Sequence, residues 1–304
     1  MADYYEVLEL PHPGCEGEWG RLRMPDKKVV PEWLVAQHKW QARGIAGDIT
    51  ASNRFLVLVG PPGTGKTTVV QAGASIAAKI LKQNGLAGKK VWMIRVSVPS
   101  IYNKYLGETS KRLHDVFQIA RKITAGGDFV ILVFDDCESL AIRREIALGS
   151  DSNPIDVAQA PVALIEELDR NRADHGLCVI ATTNLFQGVV DPAITSRADM
   201  VIHVPLPDVE QRREIFQALF GELDERLGTR LAQSTPDDID GVAILSEDLS
   251  GREIRKLALE ALLGRQDLIL RPEDLVIDDF LDVLRKRQNG RARQNSAPKN
   301  GMKH

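Results

Sequence analysis

Five consecutive apolar residues, Phe55-Leu-Val-Leu-Val59, run straight into Gly60-Pro-Pro-Gly-Thr-Gly-Lys-Thr67, and no other feature limits the possible folds of the chain as strongly. The apolar run reads as a buried strand stopped by glycine, and the residues from Lys66 onward repeat with a helical period. Strand, turn and helix must therefore follow one another without a pause. Glycines at 60, 63 and 65 allow the backbone to wrap a phosphate chain that any Cβ would hold off. Backbone N–H groups of the turn and the opening of the helix then converge on anionic oxygens. Gly60, Pro61, Pro62, Gly63, Thr64, Gly65, Lys66, Thr67 and Thr68 are accordingly the candidate binding residues for a nucleoside triphosphate. Lys66 is placed to neutralise the β- and γ-phosphates, and the Thr67 hydroxyl to hold Mg2+. A glycine-rich turn with an incidental Lys-Thr is the plainer alternative. It leaves unexplained why every fixed position of the phosphate-binding pattern is filled between a strand and a helix.

At 304 residues the chain can form one large or two modest domains with proper cores. Its 43% hydrophobic and 27% charged residues are ordinary for a soluble globular protein. A net charge of −3 argues against a general nucleic-acid binder. No apolar stretch approaches bilayer-spanning length. Residues 1–20 carry Asp3, Glu6, Glu9 and prolines, unlike a signal peptide. Cys15, Cys137 and Cys178 have neither metal-ligand nor redox spacing, so they read as buried or incidental thiols. An odd count suits a reducing compartment, and the expected location is cytoplasmic.

Strand and helix alternate from residue 55 onward. Strands are expected at 55–59, 91–96, 129–134, 177–182 and 200–204, with helices at 66–83, 109–123 and 156–168 between them. Such β–α repeats imply a parallel sheet flanked by helices. A further helix, opened by Pro31, is expected over 31–46. Beyond Pro205-Leu-Pro207 only helical periods occur, near 208–221, 237–246, 251–264 and 272–286. Ser250 ahead of Glu253, and Pro272-Glu273-Asp274, read as helix starts. The expected division is a short irregular or small β-containing leader at 1–30, a large α/β nucleotide-binding domain at 31–207, a small helical domain at 208–286 and a basic tail at 287–304. From Arg285 to the end there are seven Lys or Arg and no acid, which reads as a disordered, solvated terminus.

Two acids, Asp135 and Asp136, end the strand at 129–134. An acid at such a point behind a phosphate-binding loop binds Mg2+, and the next one orients the attacking water. Asp135 is therefore the metal candidate and Asp136 the catalytic one, with Glu138 an alternative base that could equally be a helix-starting acid. Asn184, in Ala181-Thr-Thr-Asn184 after the fourth strand, can hydrogen-bond both the γ-phosphate and the water, or simply serve the turn. Arg197 precedes the fifth strand, and Arg252 and Arg255 open a helix of the second domain. A guanidinium suits charge on a transferring phosphoryl group, and a surface ion pair is the ordinary alternative for each.

Together these elements resemble the AAA+ ATPases, over about residues 31–286. Ser52-Asn-Arg54, Asp135-Asp-Cys-Glu-Ser-Leu140, Ser196-Arg-Ala-Asp199 and Leu249-Ser-Gly-Arg252 with Arg255-Lys256 look closer to one branch, the pachytene-checkpoint-type remodellers of HORMA-domain proteins. The resemblance implies an α/β fold: a P-loop domain with a five-stranded parallel sheet in strand order 5-1-4-3-2, plus a small all-helical lid. It implies ATP and Mg2+ as ligands and a homo-oligomeric ring, usually a hexamer, with ATP between subunits. Arg197 would then act in trans on the neighbour's nucleotide and Arg252 in cis as the lid sensor. Lys104, Tyr105 and Leu106 resemble the family's pore loop, which grips an extended peptide; a core role for Tyr105 is the alternative. The family's acid pair is Asp-Glu, and here Asp136 is one methylene shorter. The short segment before the P-loop strand is similar to compact bacterial members, found beside cyclic-nucleotide synthases and HORMA proteins in anti-phage operons. There the ATPase resembles an off-switch that opens the HORMA protein. The implied partner is thus a HORMA-domain client, with neither membrane nor nucleic acid. The rival readings are a DNA-associated AAA+ loader or transposition helper using the basic tail, and a nucleotide-gated scaffold with little hydrolysis.

Overall fold

The computed structural model describes residues 4–16, 19–24, 26–43, 45, 52–84, 89–101, 108–141, 154–171, 175–185 and 190–296. The chain divides into two compact units, Met1–Pro205 and Leu206–His304.

The first unit is built on six strands: β1 (Tyr5–Leu10), β2 (Phe55–Val59), β3 (Val91–Ser97), β4 (Phe129–Asp135), β5 (Leu177–Thr183) and β6 (Met200–His203). They form one sheet in the order β1-β3-β4-β5-β2-β6. The five strands from β2 to β6 are mutually parallel and keep the expected order, read from β6 inward. The expectation of five strands falls short by one, because β1 from the leader adds antiparallel to β3 at the edge. Its acids answer bases across the pair: Glu6 meets Arg95 at 3.4 Å and Glu9 meets Lys90 at 2.8 Å. Tyr5–Leu10, within the segment expected to be a leader, is thus an integral edge of the sheet.

Alternation along the strands explains why they are apolar throughout. Phe55, Val57 and Val59 enter one core, and Leu56 and Leu58 enter the other. The same two-residue switch sends Val130, Leu132 and Phe134 one way and Phe129, Ile131 and Val133 the other. A strand covered on both faces must be hydrophobic at every position. Helices α1 (Val29–Ala42) and α2 (Lys66–Gln83) cover one face through Val30, Leu34, Val70 and Ala77. Helices α3 (Glu108–Ala125) and α4 (Pro154–Asn171) cover the other through Leu113, Phe117, Leu164 and Leu168.

The second unit is helical, as expected: α5 (Val209–Leu227), α6 (Pro236–Leu245), α7 (Gly251–Gly264) and α8 (Ile277–Ser296), with short turns between. Its core centres on Phe216, Phe220 and Phe280, whose ring centroids lie 5.1–6.5 Å apart. Reciprocal caps start three helices: Asp208 with Gln211, Thr235 with Asp238, and the expected Ser250 with Glu253. Three boundaries differ from expectation by more than one residue, the first being the end of α5 at Leu227 rather than near 221. Pro272–Asp274 forms only a 3-10 turn, and α8 begins at Ile277 after the Asp279 carboxylate takes the Val276 N–H at 3.0 Å. Helix α8 then continues through Ser296, so the tail expected to be disordered from 287 is helical that far.

Gly60 shows how tightly β2 is seated. A Cβ there would stand 2.0 Å from the Val204 carbonyl oxygen, a contact backbone cannot relieve cheaply. Gly60→Ala should therefore destabilise the first unit by about 1–3 kcal/mol. Gly20→Ala, where a Cβ meets nothing within 4 Å, should stay within about 0.5 kcal/mol of the parent. Urea unfolding followed by tryptophan fluorescence reads this directly, because Trp19, Trp33, Trp40 and Trp92 all lie in that unit.

Candidate nucleotide-binding site

Three parallel strands end side by side, and their ends carry the predicted chemistry. Val59 pairs with Thr183 in register, and Phe134 with Ala181. Gly60, Asp135 and Asn184 thus leave the sheet at one edge, where open α/β folds place their ligands. The turn after β2 needs glycine in two places, since Gly63 and Gly65 have φ of +78° and +95°. Helix α2 opens at Lys66 directly behind it, so the free N–H groups of its first turn border the loop. The Thr64 hydroxyl donates to the Pro61 carbonyl at 2.9 Å and braces the turn from within.

Lys66 is almost wholly buried. Its ammonium donates to the carbonyls of Gly60 and Pro61, each at 2.8 Å, and to Asn184 Oδ1 at 2.7 Å. The Thr67 hydroxyl donates to Asp135 Oδ1 at 2.6 Å. Asp136 sits at φ +51° with its side chain exposed, and Asn184 Nδ2 reaches its Oδ1 at 3.4 Å. Partial loss of solvent raises the Asp136 carboxyl from its ordinary value, the charges of Asp135 and Glu138 add to the rise, and Lys66 and Asn184 oppose it. The structure therefore gathers Lys66, Thr67, Asp135, Asp136 and Asn184 at one place. Cys137 and Cys178, both buried, have thiols pushed up by burial and are poor nucleophiles.

Glu138, read above as an alternative base or a helix-starting acid, does open a short helix at Glu138–Ala141, and Thr182 escaped the sequence reading. Glu138 accepts the backbone N–H of Asn184 at 2.6 Å, and Thr182 contacts both acids from β5. The second was reachable in principle: the register that sets Phe134 beside Ala181 brings Thr182 alongside Asp135.

Arg197 is held elsewhere. Its Nε and Nη2 grip the two Asp169 oxygens at 2.7 and 2.8 Å, and Nη1 donates to the Ala193 carbonyl at 2.9 Å. The Ser52-Asn53 pair supports this loop. Ser52 Oγ and the Asn53 N–H donate to the Asp199 carboxylate, and Asn53 Nδ2 donates to the Arg197 carbonyl at 2.8 Å. Arg252 lies in the second unit, exposed in the first turn of α7, while Arg255 pairs with Glu222 at 3.0 Å. Lys104, Tyr105 and Leu106 lie outside the described residues.

The donor set fits Mg2+. One carboxylate and one hydroxyl oxygen converge, and Mg2+ takes few protein oxygens, completing its shell with phosphates and water. Among the described residues no group of three or more His, Cys, Asp or Glu could hold a metal by itself. No helix among them is long and apolar enough to cross a membrane.

Sheet, loop and strand-end acid define a P-loop nucleotide-binding protein with an added helical unit. The profile of the AAA family, "ATPase family associated with various cellular activities", matches residues 56–206. The chain is 31% identical over 235 residues to CD-NTase-associated protein 6 of Pseudomonas aeruginosa, covering 76% of this chain and 74% of that protein. It belongs to the AAA ATPase family. A proteasome-associated ATPase of Nocardioides sp. is 37% identical over 164 residues, but the match covers 53% of this chain and only 27% of that relative. Among solved structures, C. elegans PCH-2 superposes with a TM-score of 0.76 at 21% identity, covering 94% of this chain and 76% of that one. A chain of the E. coli MS115-1 HORMA:CdnC:Trip13 complex gives 0.70 at 18% identity, covering 93% and 95%. At such identities the structural matches establish the shared fold.

Lys66→Ala should weaken Mg2+–ATP binding by roughly ten- to a hundredfold, the scale of a lost charge-assisted hydrogen bond. Asp135→Asn should leave the affinity measured in EDTA unchanged and remove the gain that Mg2+ brings. Fluorescent-nucleotide titrations with and without the metal separate the two.

Proposed function

We propose that this chain is an ATP-driven, ring-forming protein remodeller that pulls open a HORMA-domain client, and that it thereby restrains a bacterial cyclic-nucleotide-based anti-phage system. The observation that carries the reading is the convergence of Lys66, Thr67, Asp135 and Asn184 at one edge of the sheet. The client and the setting are supported by the CD-NTase-associated relative and by the fold shared with a chain of a HORMA:CdnC:Trip13 complex.

In this mechanism the loop amides and Lys66 bind and orient the triphosphate. Thr67 and Asp135 would hold Mg2+, which would supply Lewis-acid withdrawal of charge from the phosphates. Asp136 accepts a proton from the water that attacks the γ-phosphate, and Asn184 orients that water. Arg197 leaves Asp169 to meet the nucleotide of the adjacent subunit, where its fork stabilises the developing charge. This requirement makes the working form a homo-oligomer, taken here as a hexamer. Arg252 senses the nucleotide of its own subunit from the helical unit. Hydrolysis then moves Tyr105 and Leu106, which pull the client terminus by apolar contact.

Arg197→Ala should lower kcat by about 10²–10³-fold, and adding the Asp136→Asn variant, with its own Arg197 intact, should return part of the activity by mixed assembly. Asp136→Asn should bind ATP without turning it over, and should retain the client in a pull-down. Tyr105→Ala should keep ATPase activity and lose client opening. Turnover that survives Asp136→Asn would overturn the catalytic assignment, and client opening that survives Tyr105→Ala would overturn the pulling assignment. A wild-type chain that binds ATP without single-turnover hydrolysis would be a nucleotide-gated scaffold instead.

A further inference from the structure

Thr182, one residue from the end of β5, is fully buried, yet its hydroxyl is spent on the acidic end of β4. Oγ1 donates to Asp135 Oδ1 at 2.6 Å and accepts the Asp136 N–H at 3.1 Å. The Thr182 carbonyl accepts the Cys137 N–H at 2.8 Å. Three successive residues of the acid turn thus hang on one threonine. The hydroxyl has a single hydrogen, so donating it to Asp135 leaves its lone pairs for Asp136. Asp135 Oδ1 meanwhile receives two hydroxyl hydrogens, from Thr67 and from Thr182. Asp136 holds a left-handed φ of +51°, which a residue with a Cβ keeps only where its surroundings over-determine it.

We propose that Thr182 is the positioning residue of the acid pair: it fixes the rotation of the Asp135 carboxylate toward Thr67 and pins the Asp136 backbone in the turn that exposes its side chain. A cation taken between Thr67 and Asp135 recruits the Thr67 oxygen, and the Thr182 bond is then the one left to hold the carboxylate. The proposal rests on reading Thr67 and Asp135 as the cation pair.

The test uses Thr182→Val, equal in shape but lacking the hydroxyl, and Thr182→Ser, which keeps it, both in the full chain. Three quantities are read: ATP-analogue affinity in EDTA and with Mg2+, kcat and KM for ATP, and hydrogen exchange of the segment holding Asp136 and Cys137 in nucleotide-free protein. Thr182→Val should keep its EDTA affinity within about twofold, lose about tenfold or more of the Mg2+ gain, and lower kcat roughly ten- to a hundredfold with a smaller change in KM. Exchange of the acid turn should quicken, and Thr182→Ser should restore every value to within about threefold of the parent. Should the valine variant fail to fold, Thr182→Ala carries the same expectations. A variant without the hydroxyl that keeps the Mg2+ gain and kcat, or a serine variant that restores neither, overturns the proposal. Asp135→Asn separates the two levels. If it leaves the Mg2+ gain intact, the cation reading itself fails; if it removes the gain while Thr182→Val does not, only the positioning role of Thr182 fails.

Discussion

Burial of the parallel sheet on both faces is the constraint on which everything else depends. A strand that feeds two cores at once cannot slip by one residue, because every side chain would change sides. The pairs Val59–Thr183 and Phe134–Ala181 are therefore set by packing far from any ligand. Their consequence is felt at the strand ends, where Gly60, Asp135 and Asn184 are delivered to one edge without needing contacts of their own to find each other. The site is a by-product of core registration, and Lys66, donating to Gly60, Pro61 and Asn184, ties the loop to the end of β5.

A second network, at the start of β2, positions the arginine proposed to act between subunits. Ser52, Asn53 and Gln37 converge on Asp199, and Asn53 also holds the Arg197 carbonyl. The backbone on either side of Arg197 is thereby fixed while its side chain rests in the Asp169 fork. Asp169 is half-exposed and Arg197 partly so, and although the two-point grip makes this one of the stronger kinds of surface pair, solvent screens it. A triphosphate brings more charge than one carboxylate, and it is on that ground that Arg197 is proposed to exchange Asp169 for a neighbour's nucleotide. The reading of Arg197 as a group that moves, rather than a structural ion pair, draws on that imbalance.

How much of this was legible in the chain follows from the range of the interactions. The β2 run and the α7 segment were read with their observed limits, because apolar alternation, glycine and the Ser250–Glu253 cap are all local signals. The Asp208–Gln211 and Thr235–Asp238 caps are local too and could have sharpened two further helix starts. Strand β1 was not legible as a sixth member of the sheet. Glu6 and Glu9 look like solvated acids until Arg95 and Lys90, more than 80 residues away, are set across from them. Pro272 misled for the opposite reason: proline suits a 3-10 turn as well as a helix start, and only the Asp279 cap decides where α8 begins. Phosphate-binding residues could be read because their pattern is contiguous. The Glu138–Asn184 bond could not, and Thr182 becomes legible only once β4 and β5 are set side by side in register.

The shortened acid at Asp136 is the point where local and global requirements meet. An aspartate in place of glutamate withdraws the carboxylate by one methylene, and reach must be recovered from the backbone or not at all. Here the backbone departs from strand geometry at that residue: φ turns positive, the side chain is exposed, and the next residue, Cys137, returns fully to the core. Such a reversal costs conformational energy and persists only when neighbours enforce it. The Asp136 and Cys137 amides are both taken by Thr182, so the enforcement comes from β5, the strand that also carries Asn184. Partial loss of solvent and the nearby Asp135 and Glu138 charges raise the proton affinity of the same carboxyl above its ordinary value, against Lys66 and Asn184, in the direction that the proposed proton acceptor needs. A shorter side chain and a turned backbone are thus one arrangement, in which the sheet fixes through position where the Asp136 carboxylate stands.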